Sequence, residues 1–300
     1  MASGEQVRTE EECLGCFLRQ ALATARLAGA DEEGQARVVT EIERLLPQLD
    51  LTSSPPENAV AVYGKIAEIS GVPDPFAEVK ARSTRFALGL RDEVRARISG
   101  SGDPFYAAIR YAIAANIIDY GIQRPFDALY TLQTCLDQQL ALDEYERFRA
   151  AITRSAGARV LYLADNCGEI VFDGLLVEQL QRLGCRVTMA VRGEAILNDA
   201  TIEDASACGL DSRCPVIGSG IGCPGTPLAK CSEELRQAFA QAEVIVSKGQ
   251  GNYETLSAVA SPLFFLLTVK CPVVASRIST EHGLDPERIT GRGEMILLQG

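Results

Sequence analysis

The pattern of apolar residues changes near residue 155, and this change constrains the fold more than any other feature of the 300-residue chain. Before it, apolar residues recur at spacings of three and four, which is typical of amphipathic helices. After Ala156-Gly157, short runs rich in Val, Ile and Leu alternate with helical segments. Such alternation is typical of a largely parallel sheet covered on both faces. We therefore expect a helical lobe over residues 1–155 and an α/β lobe over residues 156–300.

The individual elements follow from the same patterns. In the first part, turns rich in Gly, Ser and Pro separate the helical segments. A helix over residues 104–120 is apolar on nearly all sides and should be central to this lobe. In the second part we predict strands at residues 160–164, 187–191, 216–218, 244–247, 273–276 and 295–298. We predict helices near residues 174–183, 227–241 and 252–267.

Net charge and hydropathy exclude some classes of partner. The net charge of −11 argues against nucleic acid, because phosphate backbones require clustered Lys and Arg. A small phosphorylated metabolite needs only a local basic pocket. No apolar run reaches the roughly 18 residues of a membrane span, and the N-terminus lacks the pattern of a signal peptide. We therefore expect a cytoplasmic protein with no nucleic-acid and no membrane partner.

Ten cysteines and one histidine narrow the chemistry. In a cytoplasmic protein the thiols are more often reduced than paired in disulfides. A metal site with two histidines is excluded, and a catalytic triad would depend on His282, which lies in a turn-like segment. Acid–base and metal-binding roles therefore fall on carboxylates, amides and lysines.

Two oxygen ligands follow the first predicted strand of the second part. Asp165 and Asn166 come directly after residues 160–164, and the carboxylates Glu169 and Asp173 follow. In open α/β sheets, ligands bind beyond the carboxyl ends of the strands. Taken alone, however, the Asp-Asn pair is as typical of a turn with a helix cap as of a ligand site.

A further carboxylate, Asp199, follows the next predicted strand. Its alternative role is to cap a helix that begins at Ala200. If the two strands are neighbours, Asp165, Asn166 and Asp199 converge as two carboxylates and one amide oxygen. Such an all-oxygen set suits Mg²⁺ or Mn²⁺.

Residues 247–257, SKGQGNYETLS, combine a strand end, a glycine turn and a helix start. The order differs from a P-loop because Lys248 precedes the glycines. Backbone N–H groups at a helix start nevertheless favour an anion, and Lys248 adds a charge beside it. The alternative is a tight turn with a surface lysine. Lys270 ends the run FFLLTVK, which we predict as helical, and there it would complement the helix dipole without any further role.

Two pairs in the helical part are ambiguous. Asn116 and Asp119 lie one turn apart on the apolar helix and either bond within the lobe or reach into a cleft. Cys13 and Cys16 form a CxxC at the start of the first helix, which suits a shared metal, a redox pair or one turn of an apolar face. No second CxxC with zinc spacing follows, so a closed zinc site would need distant partners.

An ordered set of motifs resembles a known family. The segments DNCGEIVFD, VRGEAILNDAT, SKGQGNYETL, LLTVKCPVVA and AANIID together resemble the metal-dependent damage-control phosphatases, first catalogued as domain of unknown function 89. The N-terminal CxxC resembles that of the family's prokaryotic-type subfamily I. The resemblance implies a helical lobe packed on a three-layer α/β/α lobe with a mostly parallel sheet. It also implies hydrolysis of phosphate esters with a divalent metal such as Mn²⁺, Co²⁺, Ni²⁺ or Mg²⁺.

The resemblance assigns roles to individual residues. The metal ligands would be Asp165, Asn166 and Asp199, and the phosphate-binding lysine would be Lys270. The family's substrate contacts and helical-lobe polar pair fall on Gln250, Gly251, Asn252, Tyr253, Glu254, Asn116 and Asp119. The chain departs from the family pattern at Cys167, at Ala115 and at Leu267. Leu267 stands where members that prefer sugar phosphates carry Arg, which argues against a sugar phosphate as substrate.

The sequence therefore predicts a metal-dependent phosphatase acting on a small phosphorylated metabolite, with damaged nucleotides suggested by the subfamily. Glu169, Asp173 or Glu254 would orient the attacking water, and the sequence does not rank them. Three alternatives compete with this prediction. One is a thiol metal-binding or redox module centred on the CxxC, and another is a methyltransferase-type enzyme, whose glycine-rich fingerprint is missing after the first strand. The third, a haloacid-dehalogenase-type phosphatase, needs a second carboxylate where Cys167 stands.

Overall fold

The computed structural model describes residues 6–117, 132, 134 and 136–300. Its first helices are α1 (Glu11–Leu27), α2 (Glu32–Leu45), α3 (Pro55–Ser70), α4 (Ala77–Ser99) and α5 (Pro104–Ala114). Polar residues fix the helix starts: Asp31 accepts a hydrogen bond from the backbone of Gly34 in α2, and Asp103 caps α5 in the same way. None of the helices in these residues is both long and apolar enough to cross a membrane.

The remaining described elements alternate between strand and helix. In chain order they are β1 (Leu142–Asp143), α6 (Tyr145–Thr153), β2 (Arg159–Leu163), α7 (Ile170–Arg182), β3 (Arg186–Val191), α8 (Ile202–Ala207), β4 (Val216–Gly218), α9 (Glu233–Gln241), β5 (Val244–Lys248), α10 (Gln250–Leu256), β6 (Leu263–Val269), α11 (Pro272–His282) and β7 (Glu294–Gln299). The strands form one sheet in the order β1-β7-β6-β5-β2-β3-β4. Every neighbouring pair is parallel except β6–β7. The predicted α/β fold with a mostly parallel sheet is confirmed.

The sheet is buried on both faces, as the continuous apolar strands require. In β2, Val160 and Tyr162 belong to a core cluster shared with α4, α5 and α7, whereas Leu161 and Leu163 belong to a second cluster shared with α9, α10 and α11. This alternation follows from the two-residue repeat of a strand. Full burial of each large apolar side chain stabilises the fold by roughly 1.5–3 kcal/mol.

Helices α1, α2 and α3 pack around a third cluster, which also includes Ile196 from the connection between β3 and α8. Helices α4 and α5, in contrast, share their core with the sheet. The lobe boundary at residue 155 stays a prediction. In the described residues, α1–α3 pack around a separate cluster, whereas elements from both sides of residue 155 share one core cluster.

Two predicted elements were wrong. Residues 252–267 do not form one helix, because α10 ends at Leu256 and Leu263–Val269 is strand β6. All seven residues of β6 are buried, and an apolar run without periodicity does not distinguish a buried strand from a buried helix. Residues 273–276 are not a strand but part of α11, which begins at Pro272. Proline at the first helical position is preorganised for the helix.

Two further helix boundaries differ from the prediction. The helix predicted over residues 227–241 begins at Glu233, where the side chain of Ser232 caps it. The helix predicted over residues 104–120 continues as α5 to Ala114 and then as a short 3-10 turn, Ala115–Ile117. The rest of that predicted helix lies outside the described residues.

Candidate active site

A cleft of about 400 Å³ lies between α1 and α3 on one side and the loops after the central strands on the other. The wall from α1 and α3 includes Cys13, Cys16, Phe17, Pro56 and Ala59. The opposite wall includes Asn116, Asp165, Asn166, Leu197, Asp199, Gln250, Gly251, Glu254, Thr268, Lys270 and Cys271. Most of the predicted site residues are therefore in one cavity, although they come from distant parts of the chain.

The sheet brings the three predicted metal ligands together. Strands β2 and β3 pair in parallel, so the loops that follow them start side by side. The backbone N–H of Ala200 donates to the carbonyl oxygen of Asp165 at 2.8 Å, and Asn166 forms an isolated β-bridge with Asp199. Asp199 does not cap a helix, because α8 begins at Ile202 and Thr201 is its N-cap. The Asp199 carboxylate is therefore not used as a helix cap, and Asp199 lines the cleft.

Gly249 provides the space that the Asp165 carboxylate occupies. It follows β5, which is the neighbour of β2, and its φ of +79° is in the left-handed region that favours glycine. A Cβ atom on Gly249 would lie 2.0 Å from Oδ2 of Asp165. The glycine turn that the sequence suggested as an anion site therefore also sets the position of a carboxylate.

Arg192 lies behind the two carboxylates, and the sequence analysis did not identify it. Its buried guanidinium donates through Nε to Oδ2 of Asp199 at 2.6 Å and through Nη2 to Oδ1 of Asp165 at 3.4 Å. Nη1 donates to the carbonyl oxygen of Gly225 at 3.1 Å and to Oδ1 of Asn252 at 3.1 Å. Arg192 follows β3 directly, so its place at a strand end was the signal that could have identified it.

Lys248 lies beneath the cleft rather than in it. Its fully buried Nζ donates to Oδ1 of Asp173 at 2.7 Å, to the carbonyl oxygen of Ala112 at 3.0 Å and to the Glu169 carboxylate. The hydroxyl of Tyr162 also donates to Oδ1 of Asp173, at 2.7 Å. Burial alone would lower the pKa of Lys248, but the two carboxylates outweigh it and leave this pKa raised. The lysine predicted to lie beside the phosphate is instead a buried counter-ion.

Glu169 connects this buried layer to the cleft. Its Oε2 accepts hydrogen bonds from Nδ2 of Asn116 at 2.8 Å and from Nδ2 of Asn166 at 3.2 Å. Nδ2 of Asn166 also donates to Oδ2 of Asp165 at 3.2 Å. Because both bonds use the amide nitrogen, the amide oxygen of Asn166 is the atom available to a ligand in the cleft.

The charges around these residues fit a hard divalent cation. If all are ionised, four carboxylates (Asp165, Glu169, Asp173 and Asp199) face two buried cations, Arg192 and Lys248, a formal excess of two negative charges. Burial raises the pKa of Asp165, and the neighbouring carboxylates raise it further. Buried charge without compensation is unfavourable, and a divalent cation would compensate it.

The donor set differs from a site built on three carboxylates or thiols. In the described part of the chain, no group of three or more His, Cys, Asp and Glu side chains has a geometry that could hold a metal. The candidate set has two carboxylates and one amide oxygen, Asp165, Asp199 and Asn166, so water or a phosphate oxygen would have to complete the coordination. These residues fit Mg²⁺ or Mn²⁺ better than a soft metal.

The other predicted substrate contacts divide into two groups. Gln250 lines the cleft, donates through Nε2 to Oε1 of Glu254 at 3.0 Å and accepts from the backbone N–H of Lys270 at 3.1 Å. Asn252 and Tyr253 do not line it: the Asn252 amide donates to the carbonyl oxygen of Lys248, and the Tyr253 hydroxyl donates to Glu281. Their side chains are buried in the structure. Asp119 lies outside the described residues.

Three cysteines line the cleft beside these groups. Cys13 and Cys16 come from α1, and Cys271 precedes α11. Burial raises the pKa of Cys13 to about 11, which disfavours the reactive thiolate. The nine cysteines of the described residues are all free thiols. His282, at the end of α11, is exposed and does not line the cleft.

Known proteins are similar to this chain in sequence and in fold. The chain matches the family described as damage-control phosphatase ARMT1-like domain over residues 9–284. A damage-control phosphatase of Archaeoglobus fulgidus is 35% identical over 285 residues, covering 90% of this chain and 95% of the relative. One of Pyrococcus horikoshii is 31% identical over 281 residues, with 92% and 96% covered. The crystal structure of a DUF89 family protein from P. horikoshii has a TM-score of 0.86 at 29% identity, covering 97% of this chain and 99% of that chain.

Proposed function

The chain belongs to the damage-control phosphatase ARMT1-like family, and from this premise we propose that it hydrolyses phosphate monoesters of small metabolites in a metal-dependent reaction. The names of its relatives support a phosphatase role and a phosphorylated small molecule as substrate. The observation that carries the metal dependence is the convergence of Asp165, Asn166 and Asp199 in one cleft, together with the formal excess of two negative charges around them. A divalent cation would balance this charge at the edge of the cleft.

The chain's own residues would prepare this site for a phosphate ester. A divalent metal held by Asp165, Asn166 and Asp199 would supply positive charge to the transferring phosphoryl group. Arg192 keeps the two carboxylates in position from behind. Lys270 is exposed at the edge of the cleft and offers a second positive charge to the phosphoryl oxygens.

The class of substrate follows from the charge of the chain and the shape of the cleft. A net charge of −11 supports a small metabolite rather than a nucleic acid. The apolar wall from Phe17, Pro56 and Ala59 would accommodate the organic part of the ester. The cytoplasmic location, the preferred metal and the CxxC subfamily stay predictions.

The decisive experiment measures phosphate release from p-nitrophenyl phosphate with and without Mn²⁺, Co²⁺, Ni²⁺ or Mg²⁺. We expect the wild type to require a metal and Asp165→Ala to lose both metal-dependent release and metal binding, measured by calorimetry. Asp92→Ala is the matched control, because the side chain of Asp92 is 82% exposed on α4. No metal-dependent release by the wild type, or an unimpaired Asp165→Ala, would contradict the proposal. The thiol alternative predicts instead that Cys13→Ser abolishes metal binding while Asp165→Ala retains it.

Glu169→Gln is expected to weaken metal binding by about 10–100-fold, as is typical when a group that orients a ligand is changed. A glutamine has one acceptor oxygen, whereas Glu169 accepts from Asn116, Asn166 and Lys248. Calorimetric titration with Mn²⁺ measures the effect. The control is Glu178→Gln on α7, the helix that follows Glu169, where the carboxylate binds Arg95 instead. Equal metal affinity in both variants would show that Glu169 does not orient Asn166.

A further inference from the structure

The structure ranks the three carboxylates that the sequence left unranked. Glu169 and Asp173 are both engaged by Lys248 beneath the cleft, and neither lines it. Glu254 does line the cleft, on α10, and is itself buried, with 7% of its surface exposed. A buried carboxyl group that faces a substrate cleft is suited to proton transfer.

Glu254 belongs to the wall opposite α1 and α3, and its surroundings show that it faces α1 across the cleft. Gln250, one helical turn earlier, donates to its Oε1 at 3.0 Å. The thiols of Cys13 and Cys16 on α1 are close enough to interact electrostatically with its carboxylate. Cys271, before α11, is close to the same two thiols. The four charges that most influence the Asp165 carboxylate belong to other residues, so Glu254 is not part of the metal-ligand cluster.

The position of Glu254 is close to where the leaving oxygen of a bound ester would be. If a phosphoryl group binds at Asp165, Asn166 and Asp199, the organic part of its ester would extend towards the wall formed by α1 and α3, which lines the same cleft. The ester oxygen lies between the phosphorus atom and that organic part. Glu254 lines the part of the cleft that faces α1, where this oxygen would be.

Resting on the proposed phosphatase function, we propose that Glu254 is the general acid that protonates the leaving oxygen. The bond between phosphorus and the ester oxygen breaks, its electron pair stays on that oxygen, and the oxygen takes the proton of the Glu254 carboxyl group. The oxygen of a water molecule forms the new bond to phosphorus and releases one proton to solvent. The Glu254 carboxylate regains a proton from solvent, so the products are an alcohol and inorganic phosphate.

The acidity of Glu254 agrees with this role. Burial raises its pKa to about 7, against the opposing effect of the Gln250 hydrogen bond. A general acid works best when its pKa is near the working pH. The protonated form is active, so kcat/KM for an alkyl phosphate should be highest below this pKa and fall as pH rises through about 7. A general base at this position would give the opposite dependence.

The test compares two leaving groups in wild type, Glu254→Gln and the exposed control Glu78→Gln. An alkyl phosphate such as glycerol phosphate needs a proton on its leaving oxygen, whereas p-nitrophenolate leaves as a stable anion. We expect Glu254→Gln to lower kcat with the alkyl ester by about 10²–10⁴-fold, the usual contribution of a general acid. The loss with p-nitrophenyl phosphate should be much smaller, and the fall of activity at high pH should disappear. Metal affinity and thermal unfolding should match the control.

Equal losses with both esters, or an unchanged pH profile in Glu254→Gln, would overturn the proposal. A second variant, Gln250→Leu, removes the hydrogen bond that lowers the pKa of Glu254. The pH at which kcat/KM with the alkyl ester falls should then be higher than in the wild type, even if the maximum value of kcat/KM changes. A shift to lower pH, or none, would overturn the assignment. A wild type without metal-dependent activity on either ester would instead refute the proposed function itself.

Discussion

Lys248→Met is expected to lower the free energy of unfolding by about 3–5 kcal/mol, the usual cost of removing one partner of a buried ion pair. Lys248 is fully buried, and without it the carboxylates of Glu169 and Asp173 remain buried and lose the cation that pairs with both of them. Urea unfolding followed by circular dichroism measures the change. Lys65→Met is the matched control, because its ion pair with Glu68 is on the surface, where such pairs contribute little to stability.

The double variant Lys248→Met with Asp173→Asn separates charge from packing. Removing one of the two negative charges should recover part of the lost stability if uncompensated charge is the cause. An unfolding midpoint of Lys248→Met equal to that of Lys65→Met would show that the buried lysine is not required. Because Glu169 also binds Asn166, the single variant should lose metal affinity as well as stability.

Gly249→Ala is expected to abolish metal binding and metal-dependent phosphate release. The new Cβ would lie 2.0 Å from Oδ2 of Asp165, so the carboxylate would have to leave its position between Gly249 and Arg192. Calorimetry with Mn²⁺ and the p-nitrophenyl phosphate assay measure the two effects. The expected loss of metal binding comes from the clash of the new Cβ with Asp165, which acts on the site itself, whereas backbone strain would act on the fold in general.

Gly29→Ala is the control that isolates this cause. Gly29 has a φ of +78°, nearly the +79° of Gly249, but a Cβ there would meet nothing within 4 Å. Both variants carry a backbone cost of about 1–3 kcal/mol for a side chain at positive φ, and only Gly249→Ala adds the clash with Asp165. If Gly249→Ala binds metal as tightly as Gly29→Ala, the contact between glycine and carboxylate does not determine the metal site.

The sequence predicted the part of the site that depends on strand ends. Asp165 and Asn166 follow one parallel strand and Asp199 follows its neighbour, so the carboxyl ends of β2 and β3 bring them into one cavity. The order of strands in the sheet, in contrast, depends on contacts between distant segments. For that reason the approach of Gly249 to Asp165 was not visible in the sequence.

The misplaced residues have a common physical origin. Lys248 continues the alternation of Val244 and Val246, which face the core shared with α5 and α7, so the two-residue repeat of β5 directs it into that core. We predicted that it adds charge beside a bound anion, with a surface lysine in a tight turn as the alternative, because it precedes a glycine turn and a helix start. The run Leu263–Val269 was interpreted as helical because a segment that is apolar throughout carries no period. In both cases the strand is buried on both faces of the sheet. It therefore lacks the alternation of apolar and polar residues by which a strand is predicted from sequence.

The two walls of the cleft come from different parts of the chain. The candidate metal ligands follow β2 and β3, whereas Phe17 and Pro56 belong to helices that pack around a separate core. Substitutions at Phe17 and Pro56 can therefore reshape the space for the organic part of a substrate while the candidate metal ligands stay on the loops after β2 and β3. This division suits laboratory evolution of new specificities, since libraries at these two positions would vary substrate choice around the same metal ligands.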